Sequence, residues 1–378
     1  MVAAQKYADP GEPSFGHVAK TAGRKRDTPM MKLFSLCEES EMHQWDDFVN
    51  SHPEGTPFHL SCWMRTIQDT YSFEPLLYVH TSEGGNILGV LPFFFVSSIF
   101  TGSRIVSLPF SDYCGPLFVG EGQELPLLGE VIKEHKARSR YVEIRSNLPG
   151  NCGFIRKNYY MRHILELPSD PSKLLEKVDK RTIQRCIKRA QARGVEVRED
   201  NGQAALEQFC RLNRLTRKKH GLPPQPKRFF ENFFDLMISG GNAFILLGFY
   251  QSEVISAGVF LKLRDTVYYK YNASNPEFLS SVTPNHLLTW YAIRRACSEG
   301  YRFFDFGRTS LENFGLARHK RMWGAKVVDL PYYYYPEPKG PALLESNILF
   351  CQVLRRLWRL LPDPIVNAIS SRLYRHAA

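Results

Sequence analysis

The feature that most constrains this chain is an order of elements that occurs twice. Residues 32–167 open with a short strand, MKLFSLC, and then read as two helices, EMHQWDDFVNSH and SCWMRTIQDTY. Three strands follow, PLLYVH, NILGVLPFFFV and RIVSLPF, the first two joined by SEGGN, whose glycines suit a hairpin. A helix near Glu124–Arg138, the strand YVEIRS and a closing strand YMRHILEL complete the set. The second stretch, 169–336, starts with a long helix over Lys173–Arg193, ended by Gly194, and a short strand, VEVRE. Two helices near Gln203–Lys219 and Lys227–Ile238 then precede a meander of AFILLGFY, VISAGVFLKL and TVYYKYNAS. Thr283 and Pro284 begin a helix as N-cap and first residue, and Gly300 ends it. FFDF is the next strand, GLARHKRMW a short helix and KVVDLPYYYY the last strand. The residues differ, but the order returns after about 140 positions, which predicts two copies of one α/β unit packed together.

On this reading the 378 residues divide into a disordered lead-in (1–31), an N-terminal domain (32–168), a C-terminal domain (169–336) and a tail (337–378). The lead-in is polar and lacks the apolar core of a secretory leader. The longest apolar run, NILGVLPFFFVSSIF, has 15 residues and a proline, so it reads as a core strand rather than a membrane span. Eight cysteines without a CxxC pair or a histidine cluster predict neither a metal site nor a disulfide framework, and fit a reducing cytoplasm. In the tail, PEPKGP precedes two short basic amphipathic segments broken at Pro362–Pro364. These either lie on the inner face of an anionic membrane or dock on the domain with their arginines in water. The net charge of +11 points to anionic partners: phosphate, nucleic acid or an acidic membrane surface.

The stretch Phe303–Ala325, FFDFGRTSLENFGLARHKRMWGA, concentrates the chemistry. Alternation in FFDF places Asp305 opposite Phe304 and Phe306 on a strand expected to be central, hence buried. A buried carboxylate needs a partner, and Arg308 and Lys320 are the nearby candidates. Asp305 either holds or deprotonates an attacking ammonium group or forms a structural ion pair. Gly307, Arg308, Thr309 and Ser310 follow the carboxyl end of that strand, where free backbone amides and a guanidinium suit a phosphate or an oxyanion. Lys320 and Trp323 share one helix face, the lysine a candidate to neutralise a phosphate and the tryptophan either packing or stacking on the substrate. Lys173–Arg198 holds nine Lys or Arg against three acids, with Lys180, Arg181 and Arg185 candidates for an anionic ligand or tRNA. A solvated basic face is the competing reading. A second basic run, RLNRLTRKKHG, lies at 211–221. In the loop SDYCGP, Asp112 and Tyr113 either touch the acceptor or only form a turn. Pro284, Asn285 and His286 form a helix N-terminus able to receive a phosphate.

The order of elements over 242–335, with GVEV at 194–197, FFDFGR at 303–308, GLARHKRMWGA at 315–325 and SLPFSDYCGPL at 107–117, resembles the GCN5-related N-acetyltransferase (GNAT) superfamily. Within it the chain resembles the FemAB-like branch (the BioF2-like acetyltransferase domain), which has two such units in tandem. The resemblance implies an α/β (α+β) protein of two tandem GNAT-like domains, with mixed, mostly antiparallel sheets flanked by helices. It implies an N-acyltransferase that moves an acyl or aminoacyl group onto an amine of a cell-envelope or exopolysaccharide precursor. The acceptor would be an anionic small molecule or lipid-linked, and the donor acyl-CoA (acetyl-CoA) or aminoacyl-tRNA, with no metal. Two departures bear on the donor. The Q/R-x-x-G-x-G/A turn of acetyl-CoA-binding members is replaced by NPEFLSSVTPNHL, and the helical arm of some tRNA-using relatives has no room between Arg193 and Gln203. The alternative is a non-catalytic module of this fold that binds RNA or an anionic membrane in an envelope-assembly complex.

Overall fold

The computed structural model describes residues 30–98, 102–120, 124–148, 153–338 and 374–376. Most of the expected lead-in and tail therefore lie outside the described residues. The first stretch contains β1 (Met30–Phe34), α1 (Glu39–Ser51), α2 (Ser61–Tyr71), β2 (Glu74–Thr81), β3 (Ile87–Ser98), β4 (Gly102–Val106) and β5 (Leu117–Phe118). It continues with α3 (Glu124–His135), β6 (Val142–Ile144) and β7 (Ile155–Glu166). The second contains α4 (Leu174–Lys177), α5 (Arg185–Ala192), β8 (Glu196–Glu199), α6 (Gln203–His220), α7 (Lys227–Phe233), β9 (Ala243–Tyr250), β10 (Glu253–Leu263) and β11 (Thr266–Ser274). It ends with α8 (Pro284–Ser298), β12 (Phe303–Ser310), α9 (Phe314–Met322) and β13 (Lys326–Tyr335).

The strands join into one mixed, mostly antiparallel sheet, ordered β1-β2-β3-β4-β6-β13-β7-β12-β11-β10-β9-β8, with β5 against β3. The order of elements does repeat, but the last strand of each stretch crosses over. β7 pairs with β12, placing Leu165 opposite Phe304, and β13 pairs with β6, placing Tyr333 opposite Ile144. β7 and β13 also pair with each other at the centre. The exchange follows from burial. β13 carries Tyr332 and Tyr334, both fully buried, and β12 carries Phe304, so none of these strands tolerates an edge facing water.

Helices cover both faces. Trp63 of α2, Phe209 of α6 and Phe229 and Phe233 of α7 share one core, so one layer of helices spans both stretches. On the opposite face, Leu127 and Val131 of α3 pack on the first stretch, and Ile187 of α5 and Leu288 of α8 on the second.

The long helix expected over Lys173–Arg193 is broken. After α4 the chain is extended at Val178, Asp179 Oδ1 accepts from Thr182 N at 2.6 Å, and helical winding resumes through 180–184 into α5. The break lets Asp179 N donate to Met322 O at 2.8 Å, fixing the carboxyl end of α9. Gly324 is required beside it, with φ +85° and room only for hydrogen, since a Cβ there would lie 2.6 Å from Lys177 O.

With β7 and β13 exchanged, the two stretches should unfold together. Urea unfolding followed by tryptophan fluorescence and by far-UV circular dichroism is expected to give coincident midpoints. Two separated transitions would show that the stretches are independent despite the crossed strands.

Candidate active site

β11 and β12 pair in parallel only from Thr266–Tyr268 to Phe303–Asp305, and beyond that they part. The separation is driven by a bulge: Phe306 and Gly307 stand opposite the single residue His163 of β7. Gly307 has φ +73°, and a Cβ there would lie 2.8 Å from Asp112 Oδ2, so the site's loop closes directly over this backbone. The gap opens into a cavity of about 330 Å³. Its walls come from β11 (Tyr269, Lys270, Asn272), the bulge (Phe306–Arg308), the start of α8 (Asn285, His286) and α9 (Lys320).

Charge in this cavity is arranged across the two stretches. Lys270 Nζ donates to Asp112 Oδ1 and to Phe110 O, both at 2.9 Å, and lies 4.8 Å from the centre of the Phe58 ring. Burial alone would raise the Asp112 carboxyl, but Lys270, Arg308 and Lys320 outweigh it and hold the group below its ordinary range, so it is ionised. Lys320 Nζ donates to Gly307 O at 3.0 Å and Arg308 O at 3.2 Å. Burial pulls Lys320 down to about 8, against the pull of Asp112 and Asp305. An ammonium has three N–H donors, and two are used on these carbonyls. Burial takes His286 down to about 4 and lowers His319 as well, so both are neutral imidazoles near pH 7. Asn285 donates to Asn272 and Ser274, while its Oδ1 is buried without a partner.

The expected trio does not form one cluster. Asp305 is 1% exposed, but its partners are neither Arg308 nor Lys320. Its Oδ2 accepts from Tyr113 Oη at 2.8 Å and lies 3.9 Å from Arg162 Nε, and its Oδ1 accepts from Gly307 N at 2.7 Å. Both oxygens are engaged, and the side chain borders a different cavity, so Asp305 positions the bulge and the Tyr113 loop. Arg308 donates to Tyr332 Oη at 2.7 Å and stacks on Tyr160 at 4.3 Å, and Tyr332 Oη donates to Asp112 O. Trp323 is fully buried and borders the cavity with His286 and His319. Lys180, Arg181 and Arg185 are exposed and line neither cavity. Thr283 Oγ1 donates to Cys186 O at 2.9 Å, tying α5 to the start of α8. The residues that sequence reasoning missed are Lys270 and Arg162. Lys270 is the single cation of an otherwise largely aromatic strand, a pattern that marks an inward-facing charge, whereas Arg162 sits among Arg156, Lys157 and His163 and gives no such signal.

Two parallel strands that part over a cavity, with a helix amino end and a lysine on its walls, are the arrangement that the resemblance to GNAT acyltransferases implies. The Acetyltransferase (GNAT) domain family matches residues 178–321. The Lipid II:glycine glycyltransferase of Staphylococcus epidermidis is 21% identical over 418 aligned residues, covering 82% of this chain and 97% of that protein. The crystal structure of FemX superposes with a TM-score of 0.64 at 17% identity, covering 86% of this chain and all of that one. A tandem GNAT protein from the clavulanic acid biosynthesis pathway gives 0.51 at 13% identity, over 81% and 98%. Residues 178–321 therefore carry a GNAT-type acyltransferase domain, and along most of its length the chain is similar to FemAB-like proteins. Among the described residues no helix is long and apolar enough to cross a membrane.

Because Lys320 is depressed in the folded state, the unfolded chain binds the extra proton between about pH 8 and the ordinary lysine range. Stability from this group therefore rises with pH through that window, and the burial cost is fully present below it. Lys320→Met is expected to remove this rise, so that the wild type gains on the order of 1–3 kcal/mol more stability than the variant between pH 7 and pH 10 in urea unfolding. Parallel wild-type and variant stability curves over pH 7–10 would remove Lys320 as the titrating group.

Proposed function

We propose that the protein transfers an aminoacyl group from aminoacyl-tRNA onto an amine of a lipid-linked cell-wall precursor. The observation that carries this reading is the cavity between β11 and β12, where an ionised carboxylate, Asp112, faces the ammonium of Lys320. The match along 97% of a lipid II:glycine glycyltransferase supports the acceptor class. The missing glycine-rich turn before α8 favours tRNA over CoA as donor, and the exposed basic residues Lys180, Arg181 and Arg185, on the segment leading into the helix tied to the start of α8, suit a phosphate backbone.

In this reaction the acceptor amine attacks the ester carbonyl carbon, the new C–N bond forms and the ester C–O bond to the ribose breaks. Asp112 takes the proton lost by the attacking ammonium. The remaining N–H of Lys320 faces the oxygen on which negative charge develops and supplies a proton to the departing ribose oxygen. Asn285 Oδ1, buried without a donor, suits the amino group of the transferred residue.

The test is transfer of a radiolabelled amino acid from charged tRNA to a lipid-linked muropeptide, with acetyl-CoA as a parallel donor. Expected are RNase-sensitive amide formation and losses of ~10²–10³-fold for Asp112→Asn and Lys320→Met. Label passing only from acetyl-CoA would overturn the donor, and unchanged rates in both variants would remove this cavity from the reaction.

A further inference from the structure

A second, larger cavity of about 550 Å³ lies on the other side of Asp305, walled by both stretches, and its volume is that of a small-molecule site. Its floor is built around Arg162. The guanidinium lies 3.8 Å from the centre of the Tyr113 ring. Its one ion-pair contact among the described residues is Asp305 Oδ2, at 3.9 Å, beyond hydrogen-bond distance. Arg162 Nε is buried and has no hydrogen-bond partner. The 19% of the side chain that remains accessible faces the cavity. An always-charged guanidinium fork held over an aromatic ring, with a buried Nε left unbonded, suits a planar anion.

The rest of the lining selects the anion. Asp305 is beside the fork, and Glu54, Asp265 and Asp329 stand around the opening. Arg264 and Arg302 also line the cavity, but Arg302 pairs with Asp265 at 3.4 Å and Arg264 donates to Asn50 O, so the unpaired carboxylates favour a monoanionic carboxylate on the fork over a dianionic phosphate. Glu54 and Asp329 are exposed and make no ion pair among the described residues, so they remain available to an ammonium. We infer that this cavity binds a zwitterion, a free amino acid or a short peptide, with its carboxylate on Arg162 and its ammonium toward Glu54 and Asp329. The site lies apart from the Lys320 cavity and stands whether or not the transfer reaction proposed above is correct.

Isothermal titration of the full chain with glycine, glycylglycine, glycylglycine amide and inorganic phosphate tests this. Glycine or glycylglycine is expected to bind, and whichever binds more tightly identifies the free amino acid or the peptide as ligand. The amide and the Arg162→Lys variant are each expected to weaken binding by at least ~10-fold, since both lose the two-point contact. Lys320→Met is expected to bind as the wild type does, which separates this cavity from the other. Equal binding of peptide and amide, tighter binding of phosphate, or no binding of either zwitterion overturns the inference. The wild-type comparison of peptide with amide decides the matter even if Arg162→Lys does not fold.

Discussion

The carboxylate of Asp305 holds the protein's two working regions in register. It accepts from the hydroxyl of Tyr113, which belongs to the first stretch, and from the amide of Gly307, which forms the bulge in the second. A buried carboxylate left without such donors would cost several kcal/mol, so loop and bulge are fixed together. The consequences run outward from there. The bulge parts β11 from β12, the parting opens the cavity, and the bulge carbonyls receive Lys320. Asp112, next to Tyr113, then falls within reach of Lys270. Asp305 therefore shapes a cavity it does not line.

The crossed strands explain why the ion pair between Asp112 and Lys270 can be so well buried. The first stretch supplies the loop and the second supplies β11, and the exchange of β7 and β13 holds them against one another. The shared helical layer does the same from one face: Phe58 and Trp63 of the first stretch lie 4.8 and 5.4 Å from Lys270 Nζ. Aromatic rings around an ammonium compensate part of its desolvation while keeping water out.

Much of this was legible in the sequence because it is local. Apolar runs separated by short polar turns marked the meander, Thr283–Pro284 marked the start of α8, and Gly194 and Gly300 marked helix ends. Asp112, Asn285, His286, Arg308, Lys320 and Trp323 were named from motif and position, and they do line one cavity. What failed was long-range. The partners expected for Asp305 were the cations nearest in sequence, whereas the real neighbours arrive through the register of β7 on β12 and through a loop nearly two hundred residues away. Nothing in a strand's own residues states which strand it pairs with, so the exchange, and with it Arg162, was hidden. The broken helix was missed because a capping aspartate inside a basic run looks like one more surface charge.

The crossing of β13 also sets a timetable for synthesis. On the ribosome, β6 emerges beside β4, but its other edge at Val142–Ile144 has no strand to pair with until Tyr333–Tyr335 has been made. Through that interval the nascent chain carries an open, apolar sheet edge, the kind of surface that recruits other chains. The chain can finish neither half before it has nearly finished both, so its yield in a cell should depend on translation speed and on holding chaperones more than on the stability of the finished fold.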